Sequence, residues 1–156
     1  MKVTSPLPSS LITIDSNTLL IPLLIEITVP VPGEVISAFG KRSVYNGQPR
    51  SPHRGADFRG ATGTPIRAPN AGKVVLASDL YYTGNTVILD HGLGLYSYFG
   101  HMSAISVEEG ALVQTGEIVG KVGATGLVTG PHLHWTVCLV GVRIDPLSLV
   151  DILANP

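Results

Sequence analysis

Short runs of alternating apolar and polar residues, bounded by glycine, asparagine or aspartate, dominate the chain. Alternation with a period of two predicts β-strands, because successive side chains of a strand point to opposite faces. Glycine and proline between the runs are typical of turns. The predicted strands are residues 33–39, 72–77, 85–89, 95–99, 117–122 and 132–140. Their spacing of roughly ten residues predicts an all-β fold, a sandwich or a barrel-like domain.

The two ends of the chain depart from this pattern. Residues 147–153, which follow Pro146, predict one helical turn near the C-terminus. Residues 1–32 contain five prolines, few charges and two β-like runs around residues 15–17. We therefore predict an N-terminal hairpin or extended arm over residues 1–32, packed on a single domain that spans residues 33–156.

Composition narrows the range of partners. Hydrophobic residues make up 44% of the 156 residues and charged residues 13%, which favours one compact domain over disorder. The net charge is -1 and the sequence contains no run of charged residues, so no nucleic-acid or anionic-membrane partner is predicted. The single Cys138 excludes a disulfide framework and a multi-cysteine zinc site.

The most apolar stretch, residues 19–25, does not predict a membrane segment. It is too short to span a bilayer and contains a proline. It also starts too far into the chain to be a signal peptide, and it lacks the basic residues before it and the small residues after it that a signal peptide has. The sequence therefore predicts no transmembrane segment and no export signal in this chain.

Two histidine clusters carry the candidate chemistry. His53 and Asp57 are four residues apart, a spacing that places them on one side of either a helix or a strand, and Gly55 between them permits a tight turn. Alone, this pair is a weak signal, and a chance match is the alternative.

The second cluster consists of His132 and His134, which point to the same face if they lie in a strand. Leu133 and Trp135 then share the opposite face. Two parallel imidazoles are costly to bury unless their nitrogens are used, so a metal ligand, a catalytic base or one of each is favoured over a purely structural pair.

The other two histidines are less informative by themselves. His101 ends the predicted strand 95–99 and opens a loop, a position where functional side chains are common. A hydrogen-bonded structural histidine is the alternative there. His91, between an aspartate and a glycine, is interpreted as a structural turn residue.

Catalytic zinc takes three protein ligands from histidine and carboxylate and leaves a fourth position for water. His53, Asp57 and one of His132 or His134 would meet that number. The sequence has no His-Glu-x-x-His helix, so the glutamate base of that class is absent. His101 and the remaining histidine of the pair are then the candidates for proton transfer.

Several motifs, in order and at matching intervals, resemble the lysostaphin/LytM-type domains of peptidase family M23. They are residues 53–57 (HRGAD), 62–66 (TGTPI), 71–75 (AGKVV), 84–92 (GNTVILDHG), 98–101 (YFGH), 123–126 (GATG), 129–134 (TGPHLH) and 144–146 (IDP). The resemblance covers about residues 33–150. One departure is Phe99, where the family commonly has alanine.

The resemblance implies a fold of antiparallel β-sheets like the duplicated hybrid motif, with a narrow groove that holds one zinc ion. It implies that His53, Asp57 and His134 bind the zinc and that His101 and His132 form the catalytic pair. It further implies hydrolysis of peptide bonds in peptidoglycan stems or cross-bridges, in the cell envelope or outside the cell.

Two other functions remain as alternatives. One is a catalytically silent regulator of other wall hydrolases, which zinc content together with peptidoglycan digestion would distinguish. The other is a β-carrier whose paired histidines pass a phosphoryl group, which would require neither Asp57 beside His53 nor a metal.

Overall fold

The computed structural model describes residues 12–15, 18–20 and 26–155. The elements in that part of the chain are β1 (Ile12–Asp15), β2 (Thr18–Leu20), β3 (Val35–Ser37), β4 (Val44–Tyr45), β5 (Gln48–Pro49), β6 (Ala56–Arg59), β7 (Pro65–Arg67), β8 (Gly72–Leu80), β9 (Gly84–Asp90), β10 (Leu95–Ile105), β11 (Leu112–Val113), β12 (Ile118–Val122), β13 (His132–Leu139), β14 (Val142–Ile144) and α1 (Pro146–Ala154).

One large antiparallel sheet organises the molecule. Its strands run in the order β11-β8-β9-β10-β13-β6-β3, while β12 pairs with β10 and β7, and β14 pairs with β13. The pairing of β9, β10, β13 and β6 is antiparallel at each step. The prediction of an all-β antiparallel fold is confirmed, and the described strands do not close into a barrel.

Each of the six predicted runs contains a strand, but one is much longer than predicted. The strand β10 continues to Ile105, because its second half pairs with β12, with Met102 opposite Val122. The prediction that His101 opens a loop is therefore wrong. His101 lies inside β10, where the register against β9 shifts between Phe99 and Met102, and its φ of 63° is the left-handed conformation of that irregularity.

The helix α1 is also longer than the single predicted turn. Asp145 caps it, since Leu147 N donates to Asp145 Oδ1 at 3.1 Å, and Pro146 starts it with a φ already suited to a helix. No helix within the described residues is long and apolar enough to cross a membrane.

The core lies against one face of the sheet. Along β13 the side chains of Leu133, Trp135 and Val137 are completely buried, as the alternation predicted. Ile27 and Val31, each 3% exposed, belong to the same core although they precede the predicted domain.

Only part of the predicted N-terminal arm is described. The strands β1 and β2 pair antiparallel, and residues 1–11, 16–17 and 21–25 lie outside the described residues. Further along, Thr28 N donates to the carbonyl of Pro69 at 3.0 Å. The division of the chain at residue 33 remains a prediction.

A chain of buried polar groups crosses the core. Trp135 Nε1 donates to Ser97 Oγ at 3.2 Å, and Ser97 Oγ lies 2.9 Å from His91 Nε2. His91 Nδ1 lies 2.8 Å from the carbonyl of Ala71, which can only accept, so Nδ1 carries the proton. Nε2 is then free to accept the Ser97 hydroxyl. This arrangement suits a neutral imidazole, and burial lowers the pKa of His91.

We predict that His91 makes the protein less stable as the pH falls. Because the pKa is lower in the folded state, the unfolded chain binds the extra proton below pH 6.5, and the free energy of unfolding decreases there. The slope from this proton is at most about 1.4 kcal/mol per pH unit. In His91→Gln, urea unfolding at pH 7.5 and 5.5 with a chelator present should show a smaller difference. The same difference in both proteins would contradict this account.

Candidate metal centre

The register between β6 and β13 brings two of the predicted ligands together. His134 lies directly opposite Asp57, and His132 lies opposite Arg59. Because His132 and His134 are two residues apart, both project from the sheet face opposite the core, as predicted. His134 Nδ1 is 2.7 Å from Asp57 Oδ1.

His53 reaches the same point from the loop before β6. Its Nε2 is 3.2 Å from Asp57 Oδ1 and 3.2 Å from His134 Nδ1. The loop is held by two backbone hydrogen bonds, from His53 N to the Lys41 carbonyl at 2.9 Å and from Gly40 N to the His53 carbonyl at 2.8 Å. His53 and Asp57 therefore share neither a helix nor a strand, and the chain turns between them.

Gly55 is needed for close approach, not for an unusual backbone angle. Its φ is not positive, but a Cβ there would lie 2.6 Å from the Trp135 carbonyl oxygen and 2.8 Å from His134 Cε1. A side chain at this position would therefore push the loop, and His53 with it, away from β13.

The three atoms could hold one metal ion. His53 Nε2, Asp57 Oδ1 and His134 Nδ1 all lie within 4.8 Å of one another. Ligands at about 2.0–2.1 Å from a tetrahedral zinc are separated by roughly 3.3 Å, close to the two 3.2 Å distances found here. The third distance, from His134 Nδ1 to Asp57 Oδ1, is shorter at 2.7 Å. Two imidazoles and one carboxylate also form a donor set typical of catalytic zinc, which leaves a position for water.

Hydrogen bonds to the outer ring nitrogens orient both imidazole ligands. His53 Nδ1 lies 3.1 Å from the Ala38 carbonyl and therefore donates, which leaves Nε2 with its lone pair towards the site. His134 Nε2 lies 2.9 Å from Thr136 Oγ1, and that hydroxyl donates to the Arg54 carbonyl at 3.2 Å. Thr136 must then accept from Nε2, so the lone pair of His134 is on Nδ1.

The predicted catalytic pair lies beside these ligands. His101 Nδ1 is 2.9 Å from the Thr125 carbonyl, and His132 Nδ1 is 2.9 Å from the Gly130 carbonyl. Each ring therefore donates from Nδ1 and keeps Nε2 available. The two ring centroids are 4.9 Å apart, and His132 Nε2 is 3.9 Å from Asp57 Oδ1.

The local electrostatics separate the roles of these groups. Burial opposes ionisation of Asp57, but hydrogen bonds from His134 and His53 in their protonated forms, in which both ring nitrogens carry a proton, outweigh it and hold the pKa of Asp57 well below its ordinary value. The hydrogen bond to Asp57 raises the pKa of His53. Burial lowers the pKa of His101, so that ring is neutral near pH 7 and able to take a proton.

The five predicted site residues thus converge on one place in the fold. Reasoning from the sequence missed Thr136, although its position two residues after His134 in a predicted strand places it on the same face. Glu108, Glu109 and Glu117 are exposed in the structure.

Comparisons with known proteins match the same family that the motifs resemble. The model of peptidase family M23 matches residues 51–146. The chain is 40% identical over 98 residues to the peptidoglycan DD-endopeptidase ShyA of Vibrio cholerae, a match that covers 63% of this chain and 23% of that protein. The chain therefore spans about a quarter of the length of this curated relative.

Two solved structures have similar folds. A zinc-containing peptidase from Vibrio cholerae has a TM-score of 0.70 and 31% identity, over 75% of this chain and 37% of that chain. The catalytic domain of the antimicrobial peptidase lysostaphin from Staphylococcus simulans has a TM-score of 0.68 and 30% identity, over 76% of this chain and 92% of that domain.

We predict that Thr136→Val weakens Zn²⁺ binding by about 10- to 100-fold, the usual effect of removing a hydrogen bond behind a histidine ligand. The valine has nearly the same shape but cannot accept from His134 Nε2, so the ring loses the partner that fixes its tautomer. Competition with a chromophoric chelator measures the affinity. Thr62→Val, at an exposed position outside the site, is the matched control. Equal affinities for Thr136→Val and the parent protein would refute this role.

Proposed function

Because this chain belongs to peptidase family M23, as its motifs predict, we propose that it is a zinc metalloendopeptidase that hydrolyses peptide bonds in the stems or cross-bridges of bacterial peptidoglycan. The observation that carries this proposal is the convergence of His53 Nε2, Asp57 Oδ1 and His134 Nδ1, with two further histidines beside them. The name of the relative ShyA, a peptidoglycan DD-endopeptidase, supports this class of substrate.

We assign His53, Asp57 and His134 as the zinc ligands. When bound, zinc supplies Lewis acidity that lowers the pKa of a water molecule and polarises the scissile carbonyl. Asp57 contributes the negative charge of the donor set, and its low pKa keeps it ionised at neutral pH. The hydrogen bonds at the outer nitrogens of His53 and His134 hold both rings in the orientation that coordination requires.

We assign His101 and His132 to proton transfer. Peptide hydrolysis needs one group to take a proton from the attacking water and one to protonate the departing amine. Both rings donate from Nδ1 to a backbone carbonyl, so their Nε2 atoms are the ones that exchange protons with substrate. A protonated imidazole at either position would also stabilise the negative oxygen of the tetrahedral intermediate.

This function implies a place of action. Peptidoglycan lies outside the cytoplasmic membrane, so we propose that the protein acts in the cell envelope or outside the cell. The relative ShyA, named for its action on peptidoglycan, supports that assignment.

The proposal predicts zinc and wall hydrolysis together. Protein purified without chelator should contain about one zinc per chain and should solubilise peptidoglycan until a chelator is added. Asp57→Asn and His134→Ala should lose zinc and activity together, because each removes a ligand. Elemental analysis and release of soluble wall peptides measure the two effects.

Retained zinc and unchanged turnover in either variant would overturn the ligand assignment. Zinc without any digestion by the parent protein would instead favour the silent regulator of other wall hydrolases.

We predict that His101→Ala keeps its zinc but hydrolyses wall peptides about 10²- to 10⁴-fold more slowly, the usual contribution of general acid–base catalysis. His101 is not one of the three residues whose ligand atoms converge, so the variant should keep its metal. Zinc content and kcat are measured on the same sample. Loss of zinc in this variant would require the roles of the histidines to be reassigned.

A further inference from the structure

His101 has a backbone conformation that residues with a Cβ seldom adopt. Its φ of 63° lies in the left-handed region, at the point where the pairing of β10 with β9 shifts between Phe99 and Met102. Histidine tolerates this region better than most side chains, but such a conformation persists only where surrounding contacts hold it. The contacts around His101 therefore decide where its ring, which is 7% exposed, is placed.

Two backbone carbonyls hold His101 directly. His101 N donates to the carbonyl of Thr83 at 2.6 Å, and His101 Nδ1 donates to the carbonyl of Thr125 at 2.9 Å. Thr83 belongs to the turn between β8 and β9, and Thr125 belongs to the loop between β12 and β13. The position of the ring therefore depends on how that loop and that turn are fixed to each other and to β10.

Two side chains fix the loop and β9 to the residue after His101. Thr125 Oγ1 donates to the carbonyl of Met102 at 2.7 Å, and Asn85 Nδ2 donates to the same oxygen at 3.1 Å. Thr125 Oγ1 also accepts from the backbone N of Asn85 at 3.0 Å. Thr125 thus holds the ring of His101 through its carbonyl and the backbone beside His101 through its hydroxyl.

The loop that carries Thr125 lies directly against the turn that carries Thr83. A Cβ at Gly84, whose φ is 62°, would collide with Thr125 Oγ1. One residue beyond Gly126, Leu127 N donates to the carbonyl of Tyr82 at 3.0 Å. This close packing brings the hydroxyl of Thr125 within reach of β10, so its hydrogen bonds are set by the fold.

We infer that Thr125 and Asn85 are positioning residues for His101: their side chains hold the Met102 carbonyl and thereby fix the left-handed backbone of His101 and the direction of its Nε2. Neither is one of the three residues whose ligand atoms converge, so both act through His101 and not through the metal. The inference rests on the proposed function, because it concerns how His101 is held for the same reaction.

The position of His101 matters for proton transfer, because a general acid or base acts only within hydrogen-bond reach of the proton it moves. A displacement of about 1 Å can cost about 100-fold in rate. Without the hydroxyl of Thr125, the carbonyl of Met102 keeps one side-chain donor, that of Asn85. We therefore expect a partial loss of rate from either substitution.

A pair of substitutions at Thr125 tests the role of its hydroxyl. Thr125→Val keeps the shape of the side chain without the hydroxyl, whereas Thr125→Ser keeps the hydroxyl. We expect kcat for wall peptides to fall about 10-fold in Thr125→Val, with KM and zinc content unchanged, and Thr125→Ser to recover most of it. Thr115→Val removes a hydroxyl that donates to Asn70 Oδ1, in the turn between β11 and β12, and should keep the parent kcat.

Asn85→Ala is the second variant. It removes the other side-chain donor to the Met102 carbonyl and leaves the loop that carries Thr125 unaltered. We expect the same pattern, a lower kcat with KM and zinc content unchanged. This variant also keeps the inference open to refutation if Thr125→Val fails to fold.

The tautomer of His101 gives a readout that does not require hydrolysis. In the parent protein as purified, at about pH 8, where an imidazole is neutral, NMR of the ring nitrogens should show the proton of His101 on Nδ1 alone. In Thr125→Val and Asn85→Ala the ring should show a mixture of both tautomers, and in Thr115→Val it should not. A substitution that only destabilised the fold would leave the tautomer of the folded molecules unchanged.

The two readouts separate this inference from the proposed function. If the parent protein cuts no wall peptide but the His101 tautomer changes in Thr125→Val and Asn85→Ala, the positioning role stands and the proposed hydrolysis fails. If wall peptides are cut and both variants keep the parent kcat and a single tautomer, hydrolysis stands and the positioning role is refuted. Loss of zinc together with kcat in these variants would also overturn the inference, because their effect would then be on the metal.

Discussion

The pairing of β6 with β13 is the constraint on which the site depends. It places His134 opposite Asp57, and a slip of one residue would turn His134 towards the core and Trp135 towards solvent. Leu133, Trp135 and Val137 prevent that slip, since all three are completely buried. Burial of each such side chain contributes about 1.5–3 kcal/mol, so the packing of one face fixes the geometry of the other.

Pre-organisation of the imidazoles comes from the loops around this strand pair. Three rings, those of His53, His101 and His132, each donate from Nδ1 to a backbone carbonyl, of Ala38, Thr125 and Gly130 respectively. The fourth ring, His134, donates from Nε2 to Thr136 Oγ1. Each ring therefore presents a defined nitrogen to the site before any ligand arrives. The same face continues past Thr136 into a cavity that Arg54 and Arg143 also line, so the candidate metal centre and this cavity lie along one surface.

The prediction for the strand β10 failed because it used a local rule where distant contacts decide. The strand β10 was predicted to end at residue 99, but its continuation pairs with β12, which the local pattern around His101 does not contain. The spacing between His53 and Asp57 fitted a helix or a strand equally well, but only Asp57 lies in a strand, and the chain turns between them, as Gly55 permits. What brings them together is a turn whose Gly55 fits against β13, a strand about 80 residues later in the chain.

The sequence by itself determined the positions of six strands of the large sheet, the alternation of His132 and His134 against Leu133 and Trp135, and the family motifs, because period-two alternation and turn residues act over a few neighbouring positions. Tertiary structure alone decided which atoms meet. His53 and His134 are 81 residues apart, and their approach depends on strand register and core packing. The tautomers of the imidazoles and the common cavity of Arg54 and Arg143 likewise arise from contacts between separate elements, which no local pattern encodes.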